Sequence, residues 1–170
     1  NYYIFCGGMH TSSRFGESFK LIEDEYSFKI SEKINSLIDK DDPKSISESM
    51  GLTTKMFSNI WSKYQGKLDL VFILGDRFEM FSAAISLIPY NIKIAHIHGG
   101  ETTLGAIDNK FRHALTSISD FHFTSHYIHA NKVESIIGSN NRVYNVGALG
   151  VDSVMNMELM EIQEFYKKFN

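Results

Sequence analysis

The residues able to move protons or hold anions collect in a few short stretches. Gly75-Asp76-Arg77 sits between an apolar run and an amphipathic one. His98-Gly99-Gly100-Glu101 ends a second apolar run, and Asp108-Asn109-Lys110-Phe111-Arg112-His113 opens another amphipathic segment. A carboxylate or an imidazole placed against a weakly acidic carbon can act as acid or base near neutral pH. A guanidinium at a strand end suits a phosphate. Glycine lets a ligand approach the backbone, and the helix N-termini beyond such loops favour anions. Gly7-Gly8-Met9-His10 and Gly147 are further loops of this kind.

Each candidate also has a purely structural explanation. Asp76 and Asp108 are placed to be helix N-caps. Arg77 can form a surface ion pair, and Asp108 lies one helical turn before Arg112, a pairing worth only about 0.2–0.5 kcal/mol. Strand alternation would put His96 and His98 on one side, as in a zinc site. No HExxH spacing or cysteine cluster completes such a site, so His96 reads better as a buried, hydrogen-bonded histidine and His98 as an acid/base candidate. His122, His126 and His129 read as structural.

The elements that must position these residues alternate. Short apolar strands are expected at residues 2–6, 28–30, 68–74, 92–97, 121–123 and 143–146. Helices are expected at 14–24, 43–64 (broken near Gly51), 77–88, 109–118, 127–137 and from 162 onward. Asp42-Pro43 reads as a cap followed by proline at the first helical position. Nearly all-apolar residues 68–74 suit a parallel strand buried on both faces. The order implies an α/β fold with a mainly parallel sheet flanked by helices, where ligands bind at the carboxyl ends of the strands.

The 170 residues suffice for one domain. A net charge of −3 argues against a nucleic-acid partner. No apolar run reaches the roughly 20 residues that span a bilayer, so no membrane partner is expected. The single cysteine, Cys6, cannot form an internal disulfide, which suits the cytoplasm.

Five ordered blocks resemble the hydrolysing UDP-N-acetylglucosamine 2-epimerases of the bacterial sialic and legionaminic acid branch. They are Gly8-Met9-His10 with Phe15-Gly16; Ser45 to Leu52; Leu74-Gly75-Asp76-Arg77-Phe78-Glu79-Met80; His96 to Thr103 with Gly105 to Asp108 and Phe111 to Ala114; and Asn145 to Gly150. The resemblance implies the Rossmann-like N-terminal half of a two-domain glycosyltransferase-B-type enzyme. Residues 1–155 would form that domain, and 156–170 would begin a helix toward a UDP-binding domain. A first strand with its Gly-Thr-Arg loop would precede Asn1, and this piece alone would have no turnover.

The implied reaction eliminates UDP to give a glycal and adds water, releasing N-acetylmannosamine without cofactor or metal. Asp76 and Asp108 fall on active-site carboxylates, Arg77 faces the nucleotide sugar, and Gly99-Gly100 lie against the sugar. Arg112, His113 and His10 join the substrate-binding set. His98 stands where much of the wider family has glutamate, so either His98 or Glu101 takes that acid/base role. The resemblance further implies a UDP-sugar as partner and a homo-oligomer, dimer or tetramer. UDP-N,N'-diacetylbacillosamine is the alternative substrate. A non-hydrolysing epimerase and an inactive nucleotide-sugar-binding module are the remaining alternatives.

Overall fold

The computed structural model describes residues 1–25, 27–38, 40–105, 107–157 and 159–169. The strands are β1 (Ile4–Gly7), β2 (Ile30–Ile34), β3 (Leu70–Leu74), β4 (Lys93–Ile97), β5 (Phe121–Thr124) and β6 (Val143–Asn145). The helices are α1 (Phe19–Asp24), α2 (Pro43–Tyr64), α3 (Phe78–Leu87), α4 (Asp108–Ile118), α5 (Tyr127–Ile137), α6 (Leu149–Met155) and α7 (Ile162–Phe169).

Local chemistry accounts for most of the boundaries. Asp42 caps α2 by accepting from the Ser45 backbone N–H at 3.0 Å, and Pro43 supplies the first turn. The helix then runs through Gly51 unbroken, against the expected interruption. Its stripe of Phe57, Ile60, Trp61 and Tyr64 is buried and holds it together. Residues 14–24 do not form one helix, because Gly16 turns left-handed (φ 81°) between a 3-10 turn at Ser13–Phe15 and α1. The strand expected at 28–30 lies instead at Ile30–Ile34, where pairing with β1 buries Ile30 and Ile34.

All strand pairs are parallel, but they form two sheets rather than one: β1-β2, and β3-β4-β5-β6. Helices α2, α3 and α4 close over one face, where Phe57, Trp61, Ile73, Ala84, Leu87, Ile94 and Leu115 make the core. The Trp61 indole stacks on Phe57 at 5.0 Å and donates to the Ser86 hydroxyl at 2.9 Å, so α2 is both packed on and hydrogen-bonded to α3. Each such large side chain contributes about 1.5–3 kcal/mol by leaving water.

β3 is not covered on both faces as its composition suggests. Val71 and Ile73 are buried, whereas Phe72 is 59% and Leu74 is 54% exposed. Phe72, Phe123 and Tyr144 form a ring row across this open face, with centroid separations of 5.9 and 5.4 Å. Between β1 and β3 lies a cavity of about 500 Å³ lined by Ile4, Phe5, Leu70, Val71, Phe72 and Ile73.

Candidate functional site

In-register pairing brings the carboxyl ends of β3, β4 and β5 to one edge, placing Gly75, His98 and Ser125 in neighbouring loops. At the end of β3, Gly75 takes φ 81° and donates to the Ile97 carbonyl at 3.1 Å. Asp76 is not a helix cap, because the cap position of α3 is Arg77, which makes no side-chain capping bond. Instead the Asp76 carboxylate accepts from Arg112, which reaches across from α4.

Arg112 is 5% exposed, and it also donates to Asn109 Oδ1 at 3.0 Å and Thr103 Oγ1 at 3.2 Å. Its Nε is buried without a partner among the described residues. The expected pairing of Arg112 with Asp108 is therefore replaced. A buried guanidinium needs a full carboxylate beside it, and Asp76 supplies it. Asp108 is half-buried as the first residue of α4, not its cap; the cap position is Ile107.

Arg77 forms a two-pronged pair with Glu79, Nε to Oε2 at 3.1 Å and Nη2 to Oε1 at 2.9 Å. Glu79 is 3% exposed, while the Arg77 side chain is 43% exposed. The ion pair expected for Arg77 is thus present, anchored to a buried carboxylate. Gly8 at φ 62° packs on that carboxylate so closely that an added Cβ would stand 2.9 Å from Glu79 Oε1. Arg77 and Asp108 share the lining of a cavity of about 330 Å³ with Met9, Phe15, Ile46 and Phe78. This space adjoins the charged residues, unlike the larger cavity between β1 and β3.

His96 is fully buried, with Nε2 2.7 Å from the Gly75 carbonyl and Nδ1 3.3 Å from the Thr116 hydroxyl. Burial, with lesser contributions from His122, Arg112 and His98, pushes its pKa down to about 4. A neutral ring at pH 7 carries its proton on Nε2 and donates it to Gly75, which fixes the turn bearing Asp76. His98 lies just beyond β4, which ends at Ile97, so strand alternation does not set its side. Its backbone leaves the strand in the left-handed region at φ 66°, ending the alternation. Among the described residues no group of three or more His, Cys, Asp or Glu could hold a metal ion.

The His98 backbone N–H donates to the Phe123 carbonyl at 2.9 Å, and its Nδ1 lies 2.7 Å from Glu101 Oε1. Ser125 Oγ donates to the same oxygen at 2.5 Å. Burial acts to raise the Glu101 carboxyl, but the hydrogen bonds from Ser125 and His98 outweigh it and hold the pKa below the ordinary value. Gly99 and Gly100 are buried for packing reasons. A Cβ on Gly99 would meet His96 Nδ1 at 3.1 Å, and one on Gly100 the His129 carbonyl oxygen at 2.3 Å.

The remaining candidates lie further out. His113 follows Arg112 on α4, half-buried, its pKa lowered by burial and then by Lys132 and Arg112. His10 is exposed beyond β1, with Nδ1 2.8 Å from Ser18 Oγ. Ser125, Thr103, Asn109 and Glu79 were not singled out by type or spacing. Of these, only Ser125 carried a usable signal, as a hydroxyl at the carboxyl end of a strand. His122 is buried, His126 caps α5 by accepting from the Ile128 N–H, and the His129 carbonyl packs on Gly100.

Comparison with known proteins gives this edge a context. A Campylobacter jejuni protein named GDP/UDP-N,N'-diacetylbacillosamine 2-epimerase (hydrolyzing) is 38% identical over 164 residues, 96% of this chain and 42% of its own. The Escherichia coli polysialic acid biosynthesis protein P7 is 33% identical over 162 residues, 95% of this chain and 41% of its own. The chain thus spans less than half the length of these curated relatives. The crystal structure of Neisseria meningitidis UDP-GlcNAc 2-epimerase bound to UDP-GlcNAc matches 90% of this chain and 47% of its own, with a TM-score of 0.72 at 16% identity. The fold is therefore that of the N-terminal half of a two-domain, glycosyltransferase-B-type protein. The family model described as UDP-N-acetylglucosamine 2-epimerase matches residues 1–170, and the chain belongs to that family.

Proposed function

We propose that this chain supplies the Rossmann-like half of a hydrolysing 2-epimerase acting on a UDP-linked 2-acetamido sugar. The observation that carries the reading is one sheet edge that gathers a proton-transfer group, the His98–Glu101 pair, with Asp76 and Arg112 and with Arg77 and Asp108 on a shared cavity. A base takes the C2 proton, the C2–H electrons form the C1=C2 bond, and the C1–O pair leaves with UDP. Water then adds its hydroxyl to C1 and a proton returns to C2 from the other face, freeing the 2-epimer. Asp76 and Asp108 are the carboxylates offered to these transfers, and Arg77 and Arg112 oppose the charge on the leaving diphosphate. His10 and His113 complete the substrate wall, and Gly99 and Gly100 pack behind it.

N,N'-diacetylbacillosamine is the favoured sugar, because the 38% identical relative is named for it. The second reading, UDP-N-acetylglucosamine giving N-acetylmannosamine, is favoured by the relative named for polysialic acid biosynthesis. We place the activity in a cytoplasmic homo-oligomer, a dimer or tetramer. No helix among the described residues is long and apolar enough to cross a membrane. Residues 1–155 serve as one domain, and α7, with no buried residue, leads to the UDP-binding domain. A panel of UDP-sugars offered to the full-length enzyme, read by UDP release, tests the assignment. Release from the diacetylated sugar alone supports it, release from UDP-N-acetylglucosamine alone selects the second reading, and release from neither refutes both.

A further inference from the structure

We propose that Ser125 and Glu101 are positioning residues that hold His98 with its proton on Nδ1 and present Nε2 as the proton-transferring atom. The inference rests on the reaction proposed above and decides which member of the His98–Glu101 pair acts. An ionised carboxylate only accepts hydrogen bonds. In the neutral ring the 2.7 Å contact from His98 Nδ1 to Glu101 Oε1 therefore puts the proton on Nδ1 and leaves Nε2 with a lone pair. Ser125 Oγ, 2.5 Å from the same oxygen, must also be a donor. Two donors occupy Oε1, so this carboxylate oxygen is engaged within the protein, while Nε2 has no hydrogen-bond partner among the described residues.

The anchors come from two neighbouring strands. His98 and Glu101 lie in the loop after β4, whereas Ser125 lies just beyond β5. The β5 residue Phe123 also fixes the His98 backbone, accepting its N–H at 2.9 Å. His98 is a non-glycine residue at φ 66°, a conformation that persists where surrounding contacts over-determine it and that clusters at functional sites. The buried Gly99 and Gly100 set the height of the loop through their close approach to His96 and to the His129 carbonyl. In the transfer assigned to Nε2 the substrate C2 proton moves onto the ring. The resulting imidazolium stays paired through Nδ1–H with the Glu101 carboxylate, as an orienting carboxylate does for a general-base histidine.

The test uses the full-length enzyme. Selective ¹⁵N labelling of histidine, with His98→Gln to identify the resonance, reads the tautomer without any substrate. In the neutral ring the proton is expected on Nδ1, and a neutral ring protonated on Nε2 overturns the proposal. Kinetics on whichever UDP-sugar the wild type turns over give the second readout. Ser125→Ala lowers kcat about tenfold with KM nearly unchanged, and Ser125→Thr restores it; that is the low end of the roughly 10–100-fold lost when the orienting partner of a metal-bound histidine is removed. Glu101→Gln loses more, and His98→Gln is the most damaged. A Ser125→Ala effect confined to KM, or a His98→Gln enzyme of undiminished kcat, overturns it. An enzyme inert toward every UDP-sugar counts against the reaction itself, while the tautomer still decides the positioning.

Discussion

Substitution of the Asp76–Arg112 pair gives the sharpest prediction, because its cost follows from burial. The Arg112 side chain is 6% exposed and that of Asp76 is 20% exposed. Asp76→Asn leaves a buried guanidinium with Asn109 and Thr103 but no carboxylate. Breaking a fully buried pair costs about 3–5 kcal/mol, and partial exposure of Asp76 with the retained amide oxygen reduces this to about 2–3 kcal/mol. Arg112→Met removes the cation and three hydrogen bonds but leaves Asp76 within reach of water, for about 2 kcal/mol. In the double variant no charge is buried unpaired, so its cost falls short of the sum by about 1–3 kcal/mol. Urea denaturation followed by fluorescence of Trp61, the only tryptophan and 1% exposed, measures all four proteins. Additivity within about 0.5 kcal/mol would refute the reasoning, since independent sites behave that way.

Gly100→Ala meets both a left-handed backbone at φ 80° and a Cβ contact of 2.3 Å with the His129 carbonyl. The conformational part alone costs about 1–2 kcal/mol, and the clash adds to it. A fall of more than about 2 kcal/mol by urea titration is expected, and a neutral effect would contradict the packing role. His96 makes stability depend on pH. Below its ordinary value of 6.5 the unfolded chain protonates His96, while the folded ring resists until about 4. The folded state is thus favoured above pH 6.5 and loses stability as pH falls through this window, by about 3 kcal/mol in all. His96→Gln should flatten that slope, and an unchanged slope would reassign it to His122 and His113, which shift in the same direction.

Periodicity located most of the fold. Helix α5 falls at 127–137 as expected, and β4, α3 and α4 within a residue or two of expectation, because their apolar stripes are long and glycine or polar turns bound them. One element and the exposure of one strand face escaped for physical reasons. Helix α6 has no buried residue, so no amphipathic stripe announces it. The open face of β3 is written in the same apolar residues as a covered one, so composition could not distinguish them. Within the candidate site, the chemistry-bearing types were legible but their partners were not. Asp76 meets Arg112 across 36 positions and Ser125 meets Glu101 across 24, separations that only the packing of α4 and β5 against β4 brings together. The expected pairing of Asp108 with Arg112 has one of the spacings a helix allows, and burial of the guanidinium overrides it.

The central claim is tested most directly by following full-length enzyme with its UDP-sugar in deuterated water by proton NMR. The account predicts release of UDP together with the free 2-epimer carrying deuterium at C2. Epimerised sugar still attached to UDP, or a released sugar that keeps its C2 proton, would contradict it.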